Sequence, residues 1–291
     1  MAVDHAAVAP GPRERTLIPR LLGGGGASLV VGGLLVLMLA AGALFAPLIA
    51  PHGPDEIDFL VKLSPPSLDH PFGTDNLGQD IFSRVLYGAR TSLLIAVTVV
   101  GASLALGIPL GIAAGYAGGR IDEVIMRLAD VFLAFPPLLL PLAVAAALGG
   151  SLRNAMLAIV VSWFPWYVRL ARAQVLTVKE NLYIPAARSM GVRPTTIARR
   201  HVLPNVIAPI FVQASLDMGY AILTAAGLSF LGLGAQPPEI EWGLMVTLAR
   251  SYFLDYWWVA TFPGLAIFVA VLGFNLLGDG LRDRFDPRMA R

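Results

Sequence analysis

The sequence predicts an all-α integral membrane protein with six transmembrane helices. Of its 291 residues, 56% are hydrophobic and 14% are charged, whereas soluble domains average about 25% charged residues. The apolar residues also form runs close to the roughly 20 residues that a helix needs to cross the hydrocarbon layer of a bilayer. A soluble fold would leave much of this apolar surface in water, so a membrane is the expected environment.

Six apolar segments qualify as spans when each is bounded by the nearest charges or turn residues. They are residues 27–49, 91–117, 131–148, 154–168, 206–234 and 256–278. The third segment is short and contains Pro136, Pro137 and Pro141, and the fourth is the shortest. As domains, we expect a tail over 1–26, a first span over 27–50, a long loop over 51–90, a membrane-embedded core over 91–279 and a second tail over 280–291.

The distribution of lysine and arginine predicts the orientation in the membrane. With the amino terminus in the cytoplasm, 16 of the 21 cationic residues fall on the cytoplasmic side. The five on the other side are Lys62, Arg84, Arg90, Arg153 and Arg250. Cytoplasmic loops of membrane proteins carry an excess of lysine and arginine. We therefore expect a multi-pass protein of the cell membrane with both termini in the cytoplasm and residues 51–90 outside.

The basic segment 169–205 is expected in the cytoplasm and is predicted to form two short helices. Tyr183, Ala186, Ala187 and Met190 recur at i, i+3, i+4 and i+7, so they share one face of the first helix. Their small alanines give that face a flat patch flanked by larger side chains. On spacing alone, two interpretations stay open. The patch fits the groove of another protein, or the segment is simply a basic loop with alanines as helix formers.

Glycine and proline set the ends of these two helices. Gly191 suits the left-handed residue that ends the first helix. Pro194 suits the first turn of the second helix. This second helix is expected to stop by Leu203, because Pro204 follows and the residue before a proline disfavours the helical conformation.

The pattern Ala186-Ala187-x3-Gly191, followed by Leu203-Pro204, resembles the cytoplasmic signature of importer permeases of the ATP-binding-cassette superfamily. That signature begins with Glu-Ala-Ala, and this chain has Pro185 where the glutamate often stands. The resemblance implies that residues 173–205, between spans four and five, form the coupling helices that insert into an ATPase subunit. The residues implied in coupling are Tyr183, Ala186, Ala187, Met190, Gly191 and Arg193.

Further segments are similar to the C-type permease of dipeptide, oligopeptide and nickel importers. They are HPFGTDNLGQDIFSR at 70–84, YGARTSL at 87–93, LSFLGLG at 228–234 and NLLGDGLRD at 275–283. The resemblance implies a type I importer permease and a set of partners. These are a B-type permease in a heterodimer, one or two ATP-binding subunits that hold ATP and magnesium, and an extracytoplasmic substrate-binding protein.

Features that would indicate an enzyme are missing from the sequence. It has no G-x-x-x-x-G-K-[ST] loop for nucleotide phosphates and no cysteine. Its histidines, His5, His52, His70 and His201, are scattered and lack the H-E-x-x-H spacing of a zinc protease. We expect a non-catalytic subunit without a cofactor or metal site, which leaves ATP hydrolysis to another chain. The orientation rule accounts for the basic loop, so no nucleic-acid partner is expected.

Asp217 is a carboxylate near the middle of the fifth predicted span. An acidic side chain facing lipid there would cost about 2.5 to 3.5 kcal/mol on insertion scales, so Asp217 should face the bundle interior or a water-filled path. A functional interpretation makes it attract the amino group of a peptide, or hold a gate through a residue of the facing subunit. A structural interpretation pairs it with a polar neighbour or keeps it protonated.

Two functions of different classes follow from these features. The leading hypothesis is an ATP-coupled importer permease for dipeptides, oligopeptides or similar small solutes. The alternative is a secondary transporter driven by an ion gradient, with Asp217 as the coupling carboxylate. Such carriers usually show two related halves with broken helices, and the sequence shows no internal repeat. A gradient-driven carrier would also have no use for a loop that docks an ATPase.

Overall fold

The structure is a computed structural model, and it describes residues 24–285. The tail predicted over 1–26 therefore lies mostly outside the described residues, as does part of the tail over 280–291. Within the described range the chain forms ten α-helices and no β-sheet. They are α1 (Gly24–Ile49), α2 (Ile81–Ala117), α3 (Gly119–Leu133), α4 (Leu139–Leu148), α5 (Leu152–Lys179), α6 (Tyr183–Ser189), α7 (Pro194–Ile197), α8 (Leu203–Phe230), α9 (Trp242–Ala249) and α10 (Trp258–Phe285).

Four helical stretches in the described part of the chain are long and apolar enough to cross a membrane. They are Gly26–Ile49, Ile81–Ala117, Pro194–Phe230 and Trp258–Phe285. Helix α4 is apolar as well, but at about 1.5 Å per residue it is only about 15 Å long. Helix α5 is long enough, but it carries several arginines and a lysine. The all-helical membrane class is confirmed, and the count of six spans stays a prediction.

The third predicted span, 131–148, is wrong as a single helix. Helix α3 ends at Leu133 and α4 begins at Leu139. Pro136 and Pro137 lie in the gap between them. A proline has no amide N–H, and it disfavours the helical conformation in the residue before it. Two consecutive prolines therefore break the helix, and they open a bend beside α5.

Two other predicted spans are shorter than the observed helices. Helix α2 begins at Ile81 rather than at residue 91, because Asp80 caps it: its Oδ2 accepts a hydrogen bond from the Ser83 N–H at 2.7 Å. The last ten residues of the predicted loop 51–90 are thus helical. The fourth predicted span, 154–168, continues as α5 to Lys179, whose ammonium donates to the Gly115 carbonyl at the end of α2 at 2.8 Å.

The prediction that the second loop helix stops by Leu203 is wrong. A π-helical turn, Ala198–Val202, joins α7 directly to α8. Pro204 then falls in the first turn of α8, where its missing N–H has no helical partner to lose. The basic segment therefore connects to the fifth predicted span as one continuous rod.

Helices α2 and α5 pack closely because glycines recur every four residues along α2. A Cβ atom added at Gly107 would lie 2.5 Å from the Tyr167 Cβ. One added at Gly111 would lie 2.4 Å from the Val168 carbonyl oxygen. Small residues allow helix backbones to approach in membranes, where packing rather than hydrophobicity drives association. This contact fixes the position of α5 against the bundle.

The segment between α1 and α2 is folded against the helices. The amide of Ser64 donates to Thr74 Oγ1 at 2.9 Å, and Trp258 Nε1, at the start of α10, donates to the Thr74 carbonyl at 3.3 Å. The Arg84 guanidinium donates to the Pro54 carbonyl at 2.8 Å. These bonds join residues far apart in sequence, so the segment has a defined position above α2 and α10.

Candidate functional site

A pocket of about 360 Å³ lies between the α3–α4 bend, α5 and α8. The proline break described above forms one wall of this pocket. Large aromatic side chains line it, namely Phe132, Phe135, Trp163, Trp166 and Tyr220. The rings of Trp163 and Tyr220 stack with their centroids 5.4 Å apart. Ligand sites in proteins are typically concave and mostly apolar with a few polar groups that converge.

Among the described residues that line this pocket, Asp217 is the one with an acidic or a basic side chain. Its Oδ2 accepts a hydrogen bond from the Tyr167 hydroxyl at 2.5 Å, and its Oδ1 accepts one from Gln213 Nε2 at 2.9 Å. No lysine, arginine or histidine among residues 24–285 comes within 4.0 Å of the carboxylate. Asp217 is thus half-buried, lines this pocket and has two neutral donors. Its place on a translocation path stays a prediction.

This arrangement can receive a cation. Two donors hold the carboxylate in one orientation, and each of its oxygens keeps further acceptor capacity. Aromatic faces attract a positive charge within about 6 Å of the ring centroid. Sequence reasoning missed both partners of Asp217. Gln213 lies four residues earlier on the same helix, so helical spacing could have found it, whereas Tyr167 lies on α5 and no local pattern connects it to Asp217.

The second candidate site is α6 with its flanking turns. Tyr183 and Met190 have 43% and 76% of their surface exposed, and Ala186 is exposed between them. Ala187 is only 5% exposed and packs with Ile184 in the core. The four residues predicted to share one face are therefore divided. Three of them face outward, and Ala187 holds the helix against the bundle.

Gly191 ends α6 in the left-handed conformation that its sequence position predicts. Its φ is +75°, and its amide donates to the Arg188 carbonyl at 2.9 Å. The amide of Val192 donates to the Ala187 carbonyl at 3.1 Å. This pair of bonds is the Schellman motif, which favours glycine. Arg193 follows in an exposed position and precedes the first turn of α7, which starts with Pro194.

Ion pairs attach α3 to the half of α5 that is predicted to lie in the cytoplasm. Arg172 donates to both oxygens of Asp122, from Nε at 2.5 Å and from Nη2 at 2.7 Å. The Arg172 guanidinium holds the pKa of the Asp122 carboxyl below its usual value. Arg169 pairs with Asp130 one turn away. Helix α3, which ends at the proline bend beside the pocket, is thereby fixed to α5, which precedes α6.

Glu241 is a buried carboxylate that sequence reasoning missed. It caps α9 through two bonds, accepting from the Gly243 amide at 2.7 Å and from the Leu244 amide at 2.9 Å. It is fully buried, and this burial raises the pKa of its carboxyl above the usual value. The available sequence signal was a glutamate directly before Trp242 and the apolar residues that follow it. An acidic oxygen at that position can cap a helix.

Histidines that are distant in sequence come together in the segment between α1 and α2. The rings of His52 and His70 stack with centroids 4.5 Å apart. The Nδ1 of His70 lies 3.0 Å from Asp80 Oδ1. The sequence suggested no such cluster, because 18 residues separate the histidines and no short motif connects them.

Several long apolar helices define a multi-spanning membrane protein, and among the described residues that line its pocket Asp217 has the one carboxylate. The sequence matches the family model described as "Binding-protein-dependent transport system inner membrane component" over residues 107–291. A second model, "N-terminal TM domain of oligopeptide transport permease C", matches residues 28–66. The chain belongs to the family of binding-protein-dependent transport system inner membrane components.

Curated relatives extend this similarity over most of the chain. The "Probable D,D-dipeptide transport system permease protein DdpC" of Escherichia coli (strain K12) is 50% identical over 253 residues, covering 87% of this chain and 85% of the relative. The "Di/tripeptide transport system permease protein DppC" of Pseudomonas aeruginosa is 48% identical over 262 residues, covering 87% and 86%. The "Glutathione transport system permease protein GsiD" of Pectobacterium atrosepticum is 46% identical over 255 residues, covering 87% and 85%.

Proposed function

We propose that this chain forms half of the translocation pathway of an ATP-driven importer for dipeptides and oligopeptides. The other half is a B-type permease subunit in a heterodimer. One or two ATP-binding subunits hold ATP and magnesium on the cytoplasmic side, and an extracytoplasmic binding protein delivers the substrate. This chain itself performs no covalent chemistry. Family membership supports this role, and the names of the relatives, which all refer to short peptides, support the substrate class.

The observation that carries the substrate class is the carboxylate in the aromatic pocket. A peptide at neutral pH has an ammonium group at its amino terminus and amide groups of moderate polarity along its backbone. Asp217 complements the ammonium, and the aromatic walls complement the less polar remainder. Because Asp217 has no cationic partner among the described residues, its charge is available to a substrate cation.

The six-span topology belongs to this proposal. Four helical stretches meet the criteria of length and hydropathy. The segment 131–148, which is broken at Pro136 and Pro137, and the apolar part of α5 supply the third and fourth crossings. The excess of lysine and arginine in the segment 169–205 supports a cytoplasmic position for α6 and α7, on the side of the ATPase subunits. In this arrangement Tyr183, Ala186 and Met190 form the surface that contacts the ATPase, and the α7–α8 rod links that surface to Asp217.

Cysteine labelling tests the orientation. The chain has no native cysteine, so a single introduced thiol has no background within it. Leu60 is 95% exposed in the segment between α1 and α2, and Met190 is 76% exposed after α6. In intact cells, a membrane-impermeant maleimide should label Leu60→Cys and leave Met190→Cys unlabelled until the cells are opened and the ATPase subunits are removed. Labelling of both positions from the same side would contradict the topology.

Reconstituted transport tests the function as a whole. Proteoliposomes containing both permeases, the ATPase subunits and the binding protein should accumulate a labelled dipeptide only with ATP and magnesium. Omitting this chain or the ATPase subunits should abolish accumulation.

The ion-gradient alternative predicts a different result in the same assay. Dipeptide uptake by this chain without the ATPase subunits, driven by a proton or sodium gradient, would overturn the proposed function. Family membership disfavours that alternative, because the matching family is defined by binding-protein-dependent transport.

A further inference from the structure

The side chains of His52, His70 and Asp80 form a compact cluster outside the pocket and outside α6. One ligand atom from each residue, an imidazole nitrogen or a carboxylate oxygen, lies within 4.8 Å of the other two. His52 follows the end of α1, His70 lies in the connecting segment, and Asp80 caps α2. The cluster therefore joins three separate parts of the chain at the junction of the first two long helices.

Asp80 has an unusual environment for a carboxylate. Its side chain is fully buried, with 0% exposed. Its Oδ2 caps α2, and its Oδ1 lies 3.0 Å from His70 Nδ1. No lysine or arginine in the described part of the chain lies within 4.0 Å of it. Buried charges in proteins are paired or coordinate a metal ion, and here the neighbouring groups are two imidazoles.

His52 provides an independent indication that this cluster binds an ion. Its Nδ1 is buried and has no hydrogen-bond partner among the described residues. Its ring is held by stacking on His70, and its backbone amide donates to Ser83 Oγ at 3.3 Å. Buried polar atoms are nearly always satisfied by a donor, an acceptor or an ion. The His52 imidazole thus has a fixed position and an unsatisfied nitrogen, and it lies next to a second imidazole and a buried carboxylate. These are the properties of a metal ligand.

We propose that His52, His70 and Asp80 bind one divalent transition-metal ion, of which zinc is the representative. Two imidazoles and one carboxylate suit zinc and its first-row neighbours, whereas magnesium and calcium prefer oxygen ligands. His70 Nδ1 and Asp80 Oδ1 lie within hydrogen-bond distance of each other, at 3.0 Å, and the ion takes the place of the proton between them. The bound ion fastens the end of α1 to the start of α2, which fixes the segment between them.

The test measures zinc binding to the full-length chain with its co-purifying subunits, prepared without a histidine tag and stripped with a chelator. Isothermal titration should detect a zinc site in the wild type. His52→Gln should reduce the zinc affinity of this site by more than about tenfold. Asp80→Asn should weaken zinc binding in the same way. The Asp80→Asn variant is informative because asparagine also caps helices well, so the start of α2 is preserved.

The control variant is His201→Gln, which removes a histidine remote from the cluster in sequence and should leave zinc affinity unchanged. A second readout is hydrogen exchange. Zinc, but not magnesium, should slow amide exchange in residues 50–80 of the wild type, and it should have no effect there in His52→Gln. Equal zinc affinity in the wild type, His52→Gln and Asp80→Asn would overturn the proposal, and so would the absence of zinc-dependent protection in residues 50–80. Neither result would bear on the proposed transport function, which rests on other residues.

Discussion

Asp217→Asn should reduce uptake of peptides that carry a free amino-terminal ammonium by about tenfold or more. Hydrogen bonds to charged groups are worth about 1.5 to 3 kcal/mol, and about 1.4 kcal/mol corresponds to a factor of ten. Asparagine has nearly the same shape, and its oxygen can still accept the Tyr167 hydroxyl bond. A flipped Gln213 amide can accept from the asparagine N–H in place of the present bond, so the pocket should keep its form. The measurement is ATP-dependent uptake of a dipeptide and of its N-acetylated analogue in proteoliposomes.

The comparison between substrates isolates the role of the charge. The variant-to-wild-type ratio of uptake, taken separately for each substrate, cancels any preference of the binding protein. Ser215→Ala is the matched control, because Ser215 lies on the same helix, bonds only within it to the Phe211 carbonyl at 3.0 Å and does not line the pocket. If Asp217→Asn lowers uptake of the free and acetylated peptides equally, the structural interpretation of Asp217 replaces the recognition of an ammonium.

Gly191→Val should uncouple transport from ATP hydrolysis. A β-branched residue in the left-handed region costs on the order of 1 to 3 kcal/mol, so the Schellman turn that orients α6 relative to α7 should rearrange. A Cβ at this position would meet no atom within 4 Å, so backbone conformation rather than a clash causes the effect. The number of peptides imported per ATP hydrolysed by the assembled complex should fall severalfold.

Gly191→Asn is the control for this prediction. Asparagine tolerates the left-handed conformation much better than valine does, so its coupling ratio should stay near that of the wild type. Co-purification of all subunits with both variants would show that assembly is intact. Normal coupling in Gly191→Val would contradict the assignment of this turn to the ATPase contact.

Much of the fold could be predicted because membrane insertion leaves a strong local signal. Long apolar runs require helices, since a bilayer offers no partner for an open backbone. The left-handed Gly191 and the helix start at Pro194 were also predictable, because each depends on one residue's own backbone preferences. The errors came where a break or a continuation depends on neighbours. Pro136 and Pro137 broke a predicted span, whereas Pro204 was accommodated by a π-helical turn.

The candidate sites show the same division. Asp217 could be identified as a candidate from the sequence alone, because inserting a carboxylate within an apolar span into a membrane costs free energy. Its partner Tyr167 lies on α5, and the aromatic walls come from α3, the bend before α4, α5 and α8, so only the packing of those helices reveals a pocket. The split of the predicted α6 face, with Ala187 inward and Ala186 outward, likewise depends on where the bundle lies relative to the helix.

The sequence by itself determined the membrane class, the helical secondary structure, the family resemblance and the turn at Gly191. Each of these follows from local composition, spacing or the preferences of single residues. Only the tertiary structure decided which residues meet: Tyr167 with Asp217, Asp122 with Arg172, and His52 with His70 and Asp80. These contacts join positions 10 to 50 residues apart, and their energies depend on distances that the folded chain alone establishes.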